Sequence, residues 1–201
     1  MRVVLDYGGT VTEPVDDSRY TVGETAGVEN PEYVAYKAFS LGLLSSEEEY
    51  VSALSRLTGA SEERCRSYLE ERKAAVDVPE GRVDAVRRLA RDHSLALFTD
   101  QVDVWVHEVL ERYGLEDVFD DVVVSNQLGF EKPYPEGYLK VAEGWDDVWM
   151  VSDELHDDLL MADHLGMTTV WIPRTEERVV TEPDHRIDDL AELPELLEEE
   201  G

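Results

Sequence analysis

The chain has 201 residues and a formal net charge of −29, from 47 acidic against 18 basic side chains. That balance repels polyanions and argues against nucleic acid or an anionic membrane as partner. A hydrophobic content of 42% excludes a disordered chain. The acids are spread over every predicted element, and lysine occurs only at Lys37, Lys73, Lys132 and Lys140. A dispersed acidic coat of this kind suggests a halophilic protein, since at 1 M salt the Debye length falls to about 3 Å. Cys65 is the only cysteine, so neither an internal disulfide nor a cysteine metal cluster is expected. The opening Met1–Asp6 run is far from a signal peptide, and no stretch approaches the roughly 20 apolar residues of a membrane span. The expected location is cytoplasmic.

In chain order, Arg2–Asp6 is an apolar run that reads as a strand buried on both faces. Three helical segments follow, Asn30–Leu44, Ser46–Leu57 and Ser61–Ala75. Ser46 with Glu49 offers a capping box, and Ser61 a serine cap alone. Such a block does not fit a simple crossover, so residues 14–78 are expected to form a helical cap inserted after the first strand. Tyr33, Tyr36 and Phe39 recur at helical spacing and read as its core. Glu80–Asp92 places Val83, Val86, Leu89 and Ala90 on one stripe, with arginines opposite. Strands at Leu95–Thr99, Val122–Ser125, Val148–Ser152 and Thr168–Ile172 alternate with helical spacing at Val102–Tyr113, Pro135–Glu143 and Asp157–Leu165. Trp145, Trp149 and Trp171 are expected beside the sheet, with Trp149 partly exposed. The acidic end, Glu192–Gly201, reads as a frayed, solvated tail. The alternation indicates an α/β fold, a doubly wound parallel sheet built from residues 1–13 and 79–201.

In an open parallel sheet, ligands bind beyond the carboxyl ends of the strands. The first strand ends in Asp6, followed by Tyr7-Gly8-Gly9-Thr10, and the second in Thr99, followed by Asp100. Lys132 lies in Gly129-Phe130-Glu131-Lys132-Pro133 after the third strand. Ser152-Asp153 ends the fourth, with Asp158 five residues on. A carboxylate at a buried strand end suits nucleophilic attack through an acyl-type intermediate. Mg²⁺ between Asp6 and Asp153 would relieve their repulsion and neutralise a phosphate, while Lys132 and Thr99 would hold substrate oxygens. His156 and Asp157 read as surface or capping residues.

These four segments, in this order and spacing, resemble the four motifs of the haloacid dehalogenase superfamily of hydrolases. The resemblance covers roughly residues 1–13 and 79–175, with the insertion where that superfamily places a helical cap. It implies five parallel strands in the order 5-4-1-2-3. Asp6 would be the nucleophile, and Thr99 and Lys132 would be the other catalytic groups. Gly9, Thr10, Thr99, Asp100 and Lys132 would contact substrate. Asp6, the Gly8 carbonyl, Asp153 and Asp158 would surround Mg²⁺, with Asp158 supporting either the metal or Lys132.

The implied activity is a Mg²⁺-dependent phosphatase acting on a small phosphorylated metabolite through an aspartyl-phosphate at Asp6. One position departs from the pattern. Phosphatases of the superfamily carry a second aspartate, the general acid and base, where this chain has Gly8. Acid–base help is worth about 10²–10⁴ in rate, so Glu13 or Asp100 would have to substitute. The departure leaves two alternatives open. One is a non-phosphatase hydrolase, either like the 2-haloacid dehalogenases or like the phosphonoacetaldehyde hydrolases, with Lys37 forming a Schiff base. The other is a binding module whose turnover is impaired.

Overall fold

Val3, Val4 and Leu5 have no solvent exposure. A strand without polar alternation needs cover on both faces, and burying each such side chain contributes about 1.5–3 kcal/mol. The computed structural model, which describes residues 1–16, 21–22, 29–174 and 181–200, provides that cover. Its strands are β1 (Arg2–Leu5), β2 (Ser94–Thr99), β3 (Asp121–Val124), β4 (Val148–Ser152), β5 (Thr168–Trp171) and β6 (His185–Arg186). They form one parallel sheet in the order β3-β2-β1-β4-β5-β6.

The helices are α1 (Pro31–Ser40), α2 (Glu47–Thr58), α3 (Glu62–Ala74), α4 (Glu80–Asp92), α5 (Asp103–Tyr113), α6 (Ser125–Leu128), α7 (Pro135–Val141), α8 (Leu160–His164) and α9 (Leu193–Glu200). Val3, Leu5, Leu95, Leu97 and Val151 face one layer, made by α4, α5 and α9. Val4, Ala96, Phe98 and Met150 face the other, made by α7 and α8. The period-two alternation of side chains along each strand sorts these residues to the two faces.

Three sequence expectations are corrected. The sheet has a sixth strand, β6, which extends the order beyond the expected five. At two residues it is too short to show periodicity. The acidic end is helix α9, anchored by buried Leu193, Pro194 and Leu197 against α4. Trp149 is buried and stacks on His185 at 5.0 Å, and Trp145 is the exposed one, at 38%.

The insertion has its own apolar cluster. Phe39 of α1, Tyr50 and Leu54 of α2, and Cys65 and Leu69 of α3 are buried together with Val22. Val102 and Trp105, at the start of α5, belong to the same cluster. Trp105 lies edge-on to Phe39 and Tyr50, each at 5.4 Å, and its indole N–H donates to Glu47 at 2.7 Å. Within the expected aromatic set, Phe39 is buried but Tyr33 is 58% exposed. Tyr36 is partly buried against the same cluster, and its hydroxyl donates to the Asp100 carbonyl at 2.9 Å. Ser46 and Ser61 cap α2 and α3 by accepting the N–H of Glu49 and Arg64.

Candidate active site

Parallel pairing brings the strand ends together. Leu5 is level with Leu97 of β2 and Val151 of β4, so Asp6, Thr99 and Ser152-Asp153 emerge side by side. The chain runs from β1 to β2 and β3 on one side, then returns to β4 on the other. A crevice opens at such a reversal, and here it separates Asp6 from Asp153.

Lys132 reaches this crevice from the loop after α6. Its side chain is 4% exposed, and Nζ lies 2.6 Å from both Asp6 Oδ1 and Asp158 Oδ2. Asp158 Oδ2 also accepts the Ser152 hydroxyl at 2.6 Å. Asp158 sits in the wide turn Leu155–Leu159, whose backbone carbonyls at 157 and 158 accept the buried Tyr138 hydroxyl. Asp100 Oδ1 accepts the backbone N–H of Lys132 at 3.0 Å, tying the loop after β2 to the lysine loop. Thr99 is 2% exposed, and its Oγ1 accepts the Gln101 N–H at 3.2 Å.

The loop after β1 is a wide turn, Tyr7–Val11. Gly9 has φ +75°, and a Cβ there would collide with the Asp153 carboxylate, so only glycine permits this approach. Thr10 Oγ1 accepts the Asp153 N–H at 3.1 Å. Gly8 is exposed, has φ −74°, and a Cβ on it would meet nothing within 4 Å.

The electrostatics follow from crowding. Burial raises the Asp6 carboxyl; Lys132 opposes this, and Asp158 and Asp153 push the value further up. Burial also raises Asp100 and Asp153, each to about 6, with Lys132 pulling the first down and a backbone N–H the second. Lys132 is held well above its ordinary value, because Asp158, Asp6 and Asp100 outweigh its own desolvation. Four carboxylates thus share this end of the sheet with one buried ammonium, and two of them, Asp6 and Asp158, contact it. Among the described residues no three acidic, histidine or cysteine side chains converge as a complete metal cage. Asp6, Asp153 and the Gly8 carbonyl remain as oxygen donors, while Asp158 Oδ2 is committed to Lys132 and Ser152.

A cavity of about 290 Å³ opens beside this floor. Gly8, Gly9, Gln101, Asp153 and Glu154 line its base, and Leu69, Arg72 and Lys73 of α3 its far wall. The structure therefore brings Asp6, Gly8, Gly9, Thr10, Thr99, Asp100, Lys132, Asp153 and Asp158 to one end of the sheet.

A family model for haloacid dehalogenase-like hydrolases matches residues 1–166. The chain belongs to that family. The chain is 28% identical over 128 residues to a glyceraldehyde 3-phosphate phosphatase from Pyrococcus furiosus, covering 61% of this chain and 53% of the relative. It is 30% identical over 145 residues to a ribulose-1,5-bisphosphate 5-phosphatase from Halopiger xanaduensis, covering 65% and 59%. The chain thus spans little more than half the length of these curated relatives. An enzyme of the same family from Bacteroides thetaiotaomicron, solved as a variant in complex with magnesium and inorganic phosphate, shares the fold. Its TM-score is 0.68 at 18% identity, over 88% of this chain and 95% of that one.

Lys37 does not line the cavity. Its Nζ pairs with Glu131 at 2.6 Å, and Ser40 donates to the same carboxylate at 2.5 Å. Desolvation of Lys37 is outweighed by Glu131, so its amine is held above the ordinary value. A Schiff-base lysine needs the opposite, a neutral amine. Asp100, weighed as a substitute acid, points at the Lys132 backbone. Glu13 lines the cavity but pairs with Arg82 at 3.0 Å. Asp157 is exposed, as expected.

Two residues of the site had not been expected from the sequence. Arg174 donates Nε–H to the Gly9 carbonyl at 2.8 Å. It follows the last apolar run at the same end of the sheet, a position that could have flagged it. Arg82, expected on the solvated face of its helix, is 1% exposed and donates to the Thr12 carbonyl at 2.8 Å. A charged residue is buried on a helix only when another element supplies its partner, and helical spacing carries no trace of that.

Proposed function

We propose that this hydrolase is a phosphatase for a small phosphorylated metabolite, with Asp6 as nucleophile. The observation that carries the reading is Lys132, whose Nζ bridges Asp6 and Asp158 at 2.6 Å each, at strand ends shared with Thr99 and Asp153. Asp6 attacks phosphorus, an O–P bond forms, and the ester O–P bond breaks. The alcohol leaves with a proton from water, because Gly8 supplies none. The hydroxide so formed then attacks phosphorus and the aspartyl O–P bond breaks, freeing phosphate and restoring Asp6. Lys132 and the Thr99 hydroxyl hold the phosphoryl oxygens, and Asp158 with Ser152 holds Lys132 in place.

A hard divalent cation such as Mg²⁺ suits the donor set. Asp6, Asp153 and the Gly8 carbonyl are oxygen ligands, few enough to leave positions for water and phosphate. The surplus of carboxylates over the one lysine also favours a cation. When bound, Mg²⁺ would neutralise charge on the phosphoryl group. Helices α1–α3 act as a cap, and α3 presents the specificity groups through Leu69, Arg72 and Lys73. The relatives named phosphatases support the substrate class. The acidic surface fits a salt-rich cytoplasm. Lys37, held by Glu131 and outside the cavity, does not favour the phosphonate-cleaving alternative.

The test is release of inorganic phosphate from a panel of phosphate esters, in molar KCl with Mg²⁺. Release that disappears in Asp6→Asn supports the reading, and no release from any ester overturns it. Mg²⁺ should also raise the melting temperature of the wild-type chain, and raise it much less in Asp153→Asn.

A further inference from the structure

The turn Tyr7–Val11 and its following residue Thr12 present carbonyls that the sheet does not use, and buried carbonyls require donors. Two arginines from distant elements supply them. Arg174, beyond β5, donates to Gly9 at 2.8 Å, and Arg82, on α4, donates to Thr12 at 2.8 Å. One carboxylate joins them. Asp189 Oδ2 accepts from Arg82 Nε at 2.9 Å and Nη2 at 2.7 Å, and lies 3.7 Å from Arg174 Nη1.

Asp189 is itself fixed. It caps the short helical turn Leu190–Glu192 by accepting the Ala191 N–H at 3.0 Å, and buried Leu190 and Leu193 anchor that turn. Arg174 and Asp189 both lie outside residues 1–166, the part matched by the family model. Burying Arg82 at 1% exposure is costly, and well-packed apolar residues often serve stability as well as a buried ion pair does. The arrangement does something an apolar side chain cannot: it donates to the loop carbonyls on both sides of Thr10, whose hydroxyl meets Asp153.

We infer that Arg174 and Arg82, bridged by Asp189, form a two-point clamp that positions the loop carrying Asp6 and the Gly8 carbonyl. The inference rests on the reading of Asp6 as nucleophile. Arg174 and Asp189 are positioning residues, acting through the Gly9 and Thr12 carbonyls. A displacement of about 1 Å at a reacting group can cost about 10²-fold in rate.

The experiment compares Arg174→Ala, Asp189→Ala, their double variant and Arg174→Lys in the full chain, in molar KCl with Mg²⁺ and p-nitrophenyl phosphate. Each alanine variant should lower kcat about 10- to 100-fold with KM within about two-fold. The double should be no worse than the weaker single, because the two act as one unit. Arg174→Lys, which can still reach the Gly9 carbonyl, should recover most of the lost kcat. Losses that multiply, or a fall in melting temperature with wild-type kcat in the folded protein, overturn the clamp.

Hydrogen exchange supplies a readout independent of turnover. In Arg174→Ala, amides of residues 7–12 should exchange at least about ten-fold faster, while those of α5 stay unchanged. If the wild type hydrolyses no ester, the phosphatase reading falls and exchange alone decides the clamp. If the wild type turns over and exchange in residues 7–12 does not change, the clamp falls and the phosphatase reading stands.

Discussion

The floor of the crevice and the three-helix insertion above it are held by different forces. The floor is a knot of charge: Lys132 between Asp6 and Asp158, Ser152 beneath, Asp100 on the lysine backbone. The insertion is held by aromatic and aliphatic packing, with Trp105 of α5 edge-on to the stacked pair Phe39 and Tyr50. Crowded like charges are poor for stability and good for chemistry; apolar packing is the reverse. Changes in the floor should therefore move rate more than stability, and changes in the insertion should do the opposite.

The strongest test of that division is Asp6→Asn. It should lower phosphate release at least about 10³-fold. The melting temperature should hold or rise, since one of four crowded carboxylates is gone. A large drop in stability would break the comparison.

Gly8→Asp should raise kcat by about 10²–10⁴, the ordinary worth of acid–base help. The backbone at φ −74° accepts a side chain, and nothing lies within 4 Å of the new Cβ. Unchanged kcat in a well-folded Gly8→Asp would mean that another group already moves the proton.

From the insertion side, Trp105→Ala should cost about 3–5 kcal/mol in urea denaturation, the usual cost of removing a buried tryptophan. Because Trp105 also lines the cavity, KM should rise more than kcat falls.

Asp189→Asn gives a smaller effect with a defined pH signature. Burial alone would raise the Asp189 carboxyl, but the Arg82 guanidinium outweighs it and holds the value below that of an ordinary aspartate. A carboxyl lowered in the folded state contributes stability that is present above about pH 4 and is lost as pH falls through the folded value. The variant should thus be about 1 kcal/mol less stable at pH 7, after screening of this partly exposed pair. The two denaturation curves should converge as the pH drops below 4.

Smallest of all, Lys37→Met should change stability by about 1 kcal/mol or less, since Ser40 still donates to Glu131 and the pair is partly exposed. Borohydride with an aldehyde should trap no imine at Lys37. A trapped imine would reopen the phosphonate-cleaving alternative.

How far the sequence was legible depended on the kind of contact. β1, β2, β4 and α4 were readable to within a residue, because strand and helix periodicities are local. The convergence of Asp6, Thr99, Lys132 and Asp153 was readable too, since each follows a buried run whose parallel pairing is forced by alternation with helices. Helix α9 carried a signal in the spacing of Leu190, Leu193 and Leu197, but its acidic residues read more strongly as solvated. β6 carried none. Arg82 lay among arginines at solvent-facing spacing, and its partner Asp189 is 107 residues away.

Composition and pattern alone settled that this chain folds as a layered parallel sheet with its strand-end carboxylates at one end. A hydrophobic run defines its strand, and a parallel strand can end only beside its neighbours. Which polar groups are buried, and against what, was decided in three dimensions. Trp105 inside the insertion, Asp158 on Lys132 and the arginine pair on Asp189 each depend on an element far along the chain, and burial of charge is favourable only where that distant partner arrives.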